Sequence, residues 1–172
     1  GHLVAWEQFP LNDPPAPAPL AAAAAVSERD GQLRLAAGDA ELIIDRGTGL
    51  VVQYSRAGQV LLRGGAPNFF RAMTDNDIGA GVDRSHEVWH DLSEKRWVRS
   101  ISVDPAGAVT VQHALGAGGG RFETHYAMAA DGRVEVTATF TPIKEDLPDP
   151  LRVGMAFTIP AALDQLEWFG RG

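Results

Sequence analysis

The chain has 172 residues, 45% hydrophobic and 22% charged, an ordinary globular composition with enough length for one sizeable core. Its formal net charge of −7 weighs against nucleic acid or an anionic membrane as partner, since both need a basic patch. It has no cysteine, so disulfides and thiolate metal sites are excluded, and a reducing, cytoplasmic location is the expectation.

Residues 3–9 have strand-like spacing, with Val4, Trp6 and Gln8 on one face. A proline- and alanine-rich stretch follows and predicts a linker and a domain boundary over residues 12–26. Its apolar run is too short to span a bilayer, and no basic segment precedes it as in a signal peptide. The expected division is thus 1–26, a strand plus linker, and 27–172, the first part of a second domain. The start on Gly1 rather than methionine and the end on W-F-G-R-G read as cuts from a longer protein.

From residue 32 on, short strands alternate with turns. Q-L-R-L-A-A-G, A-E-L-I-I-D-R, L-V-V-Q-Y-S-R and V-L-L-R come first, with D-R-G-T-G as a hairpin turn. R-S-I-S-V-D, A-V-T-V-Q-H-A-L, R-F-E-T-H-Y-A-M-A, R-V-E-V-T-A-T-F-T-P and L-R-V-G-M-A-F-T-I-P follow. In the fourth of these Val134, Val136, Ala138 and Phe140 share one face, the pattern of a half-buried antiparallel strand. The spacing predicts an all-β fold, an antiparallel sandwich. One short helix is expected over residues 85–97, with Ser85 as N-cap and Val88, Trp89, Leu92 and Arg96 at helical spacing.

That helix carries His86-Glu87-Val88-Trp89-His90, the H-E-x-x-H pattern of zinc hydrolases. One helical turn would bring His86 and His90 to one ion, with Glu87 as general base. A catalytic zinc needs a third protein ligand, and the positions that supply it in one large class hold Ser93 and Arg96 here. Glu123 and Glu135, the downstream candidates, fall in predicted strands. The motif is therefore expected to be a decoy, with no metal held by His86, Glu87 and His90.

The densest polar cluster is N-F-F-R-A-M-T-D-N-D-I-G-A-G, residues 68–81. Arg71, Asp75, Asn76 and Asp77 are the candidate ligand-binding or loop-ordering residues. Asp75 and Asp77 start like a calcium loop, but Gly79 and Ala80 break the pattern. As a structural loop, Asp75 or Asn76 would cap backbone N–H groups and a carboxylate would anchor Arg71.

The cluster resembles the R-A-P-x-D-N-D-x-G segment of family 2 β-galactosidases, with Met73 where proline is usual. G-H-L-V-A-W-E-Q-F resembles the last strand of that family's immunoglobulin-like domain. L-I-I-D-R-G-T-G-L-V-V-Q-Y-S-R-A-G-Q-V-L-L and L-R-V-G-M-A-F-T-I-P with W-F-G-R-G resemble later segments, in the family's order. The resemblance implies an incomplete galactose-mutarotase-like super-sandwich from a retaining β-galactosidase, an enzyme of carbohydrate metabolism. The two catalytic carboxylates of such an enzyme belong to a barrel that is not in this sequence. The implied catalytic set here is therefore none, and the isolated chain is expected to be inactive. The implied partners are the barrel and other domains of a parent chain and, in the parent, a β-galactoside. A homo-oligomer, and Mg²⁺ or Na⁺ in the parent, are left open; no cofactor is expected in this segment.

A sugar-binding or mutarotase-like module is the alternative. It would use an exposed aromatic among Trp6, Trp89, Trp97 and Trp168, or His113, His125 and Glu123 meeting on neighbouring strands. Burial of the tryptophans in a core or interface, and solvation of the other three, are the expectations set against it.

Overall fold

The computed structural model describes residues 21–165 and residue 167. Among them, ten strands form two antiparallel sheets. The first sheet contains β1 (Ala25–Arg29), β2 (Gln32–Ala37), β3 (Ala40–Asp45), β4 (Val51–Arg56), β5 (Gln59–Asn68) and β10 (Gly154–Thr158), paired in that order. The second contains β6 (Arg96–Val103), β7 (Val109–Leu115), β8 (Gly120–Met128) and β9 (Val134–Pro142). The all-β sandwich is as the spacing predicts. β1 starts at Ala25, inside the stretch read as linker, and Val26 packs on the core.

Alternation places the core. Leu33, Leu35, Leu42, Ile44 and Val51 of the first sheet meet Val109, Val111, Tyr126 and Met128 of the second. Each buried aliphatic side chain contributes about 1.5–3 kcal/mol of transfer free energy, so this inter-sheet layer is the main source of stability. Tight hairpins keep the strands in register. Asp30 and Gly31, at φ 52° and 74°, close β1 onto β2 in the left-handed conformation that a two-residue hairpin requires.

His113 lies in this layer, 2% exposed, facing inward from β7. Its Nε2 is 2.8 Å from the Thr48 carbonyl, so the ring donates there and accepts nothing at Nδ1 among the described residues. Burial pushes its pKa below the ordinary 6.5 and outweighs the Thr48 bond, which keeps the imidazole neutral.

Three short helices lie between β5 and β6: α1 (Asp75–Gly79), α2 (Val82–Ser85) and α3 (Glu87–Glu94). The single helix expected over 85–97 is thus divided and shorter. Ser85 is the last residue of α2 rather than an N-cap, and His86 stands between the helices with φ −110° and ψ 6°. Arg96 already belongs to β6, because the helix ends where Lys95 takes an extended conformation. α3 covers one end of the sandwich. Trp89 and Leu92 pack with Phe69, Leu115 and Phe122, and the Trp89 indole donates to the Pro148 carbonyl at 3.0 Å.

One strand is less buried than its pattern predicts. β9 alternates as expected, but it is the edge of the second sheet, and Val136 is 39% exposed on its inner face. The edge of the first sheet opposite it, β10, carries Phe157 at 41%.

Candidate functional site

The polar cluster after β5 is held by three contacts. Phe69 is fully buried, and its N–H donates to the Ser93 hydroxyl at 2.9 Å, which in turn donates to the Trp89 carbonyl. Arg71 then meets the Asp77 carboxylate with two nitrogens, at 2.7 and 3.2 Å, the bidentate geometry of a guanidinium–carboxylate fork. Asp77 also accepts from the Thr74 N–H and hydroxyl, each at 2.8 Å, while Thr74 Oγ1 accepts from the Asp77 N–H. That reciprocal pair is a capping box, and it starts α1.

The structure therefore brings Arg71 and Asp77 together and leaves Asp75 and Asn76 exposed on the first turn of α1. The helix cap is Thr74 with Asp77, not Asp75 or Asn76. The signal for it is in the sequence, since T-D-N-D places an acidic residue three positions after a threonine.

The Arg71 hydrogen bond, followed by the Thr74 bonds, holds the Asp77 carboxyl well below the ordinary carboxylate value of 3.8. A folded pKa below the unfolded one adds stability that is complete above about pH 4 and is lost as pH falls through the folded value. The Asp77 side-chain carboxyl carbon should accordingly keep its ionised NMR shift down to about pH 3. A midpoint at the ordinary carboxylate value would contradict the fork.

The H-E-x-x-H residues do not converge. His86 lies before α3 and its Nδ1 is 2.8 Å from the Ser85 hydroxyl. His90 is exposed, edge-on to the Phe70 ring with centroids 5.4 Å apart, and Glu87 is exposed. No group of three His, Asp or Glu side chains is arranged to hold a metal among the described residues.

His113, Glu123 and His125 do not meet either. His113 is not solvated as expected but faces the core, 2% exposed, whereas Glu123 and His125 face outward from β8, because residue parity on β7 and β8 puts them on opposite faces of one sheet. On that outer face, pairing aligns Trp97, Ala114, Arg121 and Thr141 in one row across the strands. The next row is Ser100, Gln112, Glu123 and Thr139. Gln112 donates to Glu123 at 2.6 Å and accepts from Ser100 at 3.2 Å. In the row beyond, Thr110 Oγ1 is 3.2 Å from His125 Nδ1. Of the four tryptophans, Trp89 is core and Trp97 is 52% exposed; Trp6 and Trp168 lie outside the described residues.

Between the edges β9 and β10 the inter-sheet core is open. The cleft there has a volume of about 690 Å³ and apolar walls that include Leu42, Val51, Leu62, Met155 and Phe157. The Tyr126 hydroxyl in its lining is buried without a hydrogen-bond partner among the described residues. Burial pushes its pKa up to about 12. An incomplete sandwich implies open sheet edges, and among the described residues two of them, β9 and β10, flank this uncovered apolar layer.

The family model of the β-galactosidase small chain matches residues 36–172. The chain belongs to that family. It is 32% identical over 182 residues to the β-galactosidase of Priestia megaterium, with all of this chain and 17% of the relative covered. It is 31% identical over 194 residues to the β-galactosidase of Vibrio cholerae, again across the whole chain and 19% of the relative. The β-galactosidase of Klebsiella pneumoniae strain 342 is 33% identical over 195 residues, covering 99% of this chain and 18% of the relative. The small-chain segment thus spans less than a fifth of the length of the curated relatives it matches. The small-chain match includes every strand from β3 on, the Arg71–Asp77 fork and the open cleft. No helix of the described small-chain residues is long and apolar enough to cross a membrane.

Proposed function

We propose that this chain is a non-catalytic scaffold segment of a β-galactosidase, one that hydrolyses terminal β-D-galactosides with retention. The observation that carries the reading is similarity along the whole chain to β-galactosidases roughly five to six times its length. Retention needs a nucleophilic carboxylate and an acid/base carboxylate about 5–5.5 Å apart. In this reading a barrel elsewhere in the parent supplies that pair, and this segment packs beside it to support the sugar site. The fork of Arg71 on Asp77 orders the loop that follows β5, and Asp75 and Asn76 are the groups left free for a ligand or a neighbouring domain.

The open cleft fits the same reading. Apolar walls and two unpaired edges suit further strands of the parent chain, and a hydrogen-bonding group there would satisfy the Tyr126 hydroxyl. Any Mg²⁺ or Na⁺ belongs to the parent, as do homo-oligomer contacts; a cytoplasmic location suits a chain without cysteine.

The isolated chain is expected to release no nitrophenol from nitrophenyl β-D-galactoside above the buffer rate, while the parent chain containing it turns over. Hydrolysis by the isolated chain that disappears with Glu123→Gln would overturn the non-catalytic assignment.

A further inference from the structure

The outer face of the second sheet is polar, with one large aromatic at its corner. Trp97 is 52% exposed, and its cross-strand neighbour is Ala114, whose methyl leaves the flank of the indole uncovered. A tryptophan carries roughly 150–250 Å² of surface, so half of one standing on a polar face is a large apolar plane without a partner. One strand beyond Ala114 lies a depression of about 130 Å³, lined by Gln112, Arg121, Glu123, Thr139 and Thr141. That volume suits a single small ring.

Two polar groups of the depression are already oriented. The 2.6 Å bond from Gln112 fixes the Glu123 carboxylate, and Ser100 fixes Gln112 from its other side. Arg121 has no hydrogen-bond or ion-pair partner among the described residues, so its planar fork of donors is free. A fixed acceptor and a free donor fork beside an exposed indole match the two chemistries of a pyranose: an apolar C–H face and ring hydroxyls that both donate and accept. Gln112 and Glu123, already held by their hydrogen bonds, would lose little freedom on binding, which favours association. One guanidinium and one carboxylate leave the depression without net charge, so it selects neither an anionic nor a cationic ligand.

Strand spacing sets the length of the ligand. Trp97 and Arg121 are two strands apart in the same row, a separation of about 10 Å between their backbones. A single ring does not reach across it. We propose that this face binds a neutral oligosaccharide of at least two pyranose units, one stacked on Trp97 above Ala114 and the next in the depression at Arg121 and Glu123. The site is on the opposite face of the sheet from the core and its cleft. It stands apart from the hydrolase reading and needs no barrel.

The test is a titration of the 172-residue chain with galactose, lactose, β-1,4-galactotetraose and cellotetraose, followed by tryptophan fluorescence and amide NMR shifts. Saturable binding of a tetrasaccharide is expected at about millimolar Kd, with galactose at least ~10-fold weaker. Trp97→Ala and Arg121→Ala should each weaken the tetrasaccharide by about tenfold or more, with unchanged melting curves because both side chains are exposed. Ala114→Glu, which fills the bare flank of the indole, should do the same and gives a third, independent variant. No saturation by any of these sugars up to ~50 mM would overturn the proposal. So would full affinity in Trp97→Ala, or galactose binding as tightly as the tetrasaccharides.

Discussion

Trp89→Ala is expected to lower the unfolding free energy by about 3–5 kcal/mol and the melting temperature by roughly 6–20 °C. The indole is 1% exposed and sits 5.6 Å from the Phe69 ring and 5.8 Å from Phe140, centroid to centroid. It is the main anchor of α3 on the end of the sandwich, together with Leu92. Truncation leaves a cavity lined by aromatic rings and frees the Pro148 carbonyl from its only donor among the described residues. Trp89→Phe keeps the ring packing and loses the hydrogen bond, so its cost should be intermediate, about 1–3 kcal/mol. Urea unfolding of the two variants separates the terms. Equal stability of Trp89→Ala and the unaltered chain would mean that α3 does not dock as described.

Gly49→Ala should be nearly as damaging, by about 2–4 kcal/mol. Gly49 lies in the turn between β3 and β4 at φ 69°, a conformation that disfavours any Cβ. An added Cβ would also stand 2.6 Å from Val111 Cγ1 and 2.7 Å from His113 Nε2, both in the opposite sheet. His113 cannot yield easily, because the same nitrogen holds the Thr48 carbonyl. Gly38→Ala supplies the comparison. Its φ is also positive, at 60°, but nothing lies within 4 Å of its Cβ position. It should show the backbone cost alone, about 1–2 kcal/mol. If the two alanine variants melt together, the collision with Val111 and His113 is not real.

Much of the fold was legible because a strand buries every second side chain. V-T-V-Q-H-A-L alternates, and Val109, Val111, His113 and Leu115 are its buried face. Even His113 obeys parity, although a titratable ring in the core is not what its residue type suggests. The helical segment was legible in part. Trp89 and Leu92 face inward as their spacing implies, but residues 85–97 do not form one helix, because a strand pairing claims everything from Arg96 onward. Trp89 and Trp97 illustrate the consequence. They are eight residues apart and of one type, yet one is core and the other is surface, since the periodicity changes from helix to strand between them.

The candidate site was legible in composition and not in arrangement. Arg71 and Asp77 were visible as members of a polar cluster, whereas their fork depends on the chain turning at Thr74. The outer-face rows could not be read at all, because each takes one residue from each of four strands.

By itself the sequence determined the all-β class, the absence of thiol chemistry and a specific resemblance to β-galactosidases. Those rest on local periodicity, on residue inventory and on motif order, which a linear string contains. The tertiary structure alone decided that β10 pairs with β5 rather than β9, that β9 and β10 flank an open cleft, and that Trp97 stands beside Ala114 and in line with Arg121. Each of those is a pairing across tens of residues. Such pairings are selected by the fit of whole faces and edges to one another, and no local window of the chain carries that information.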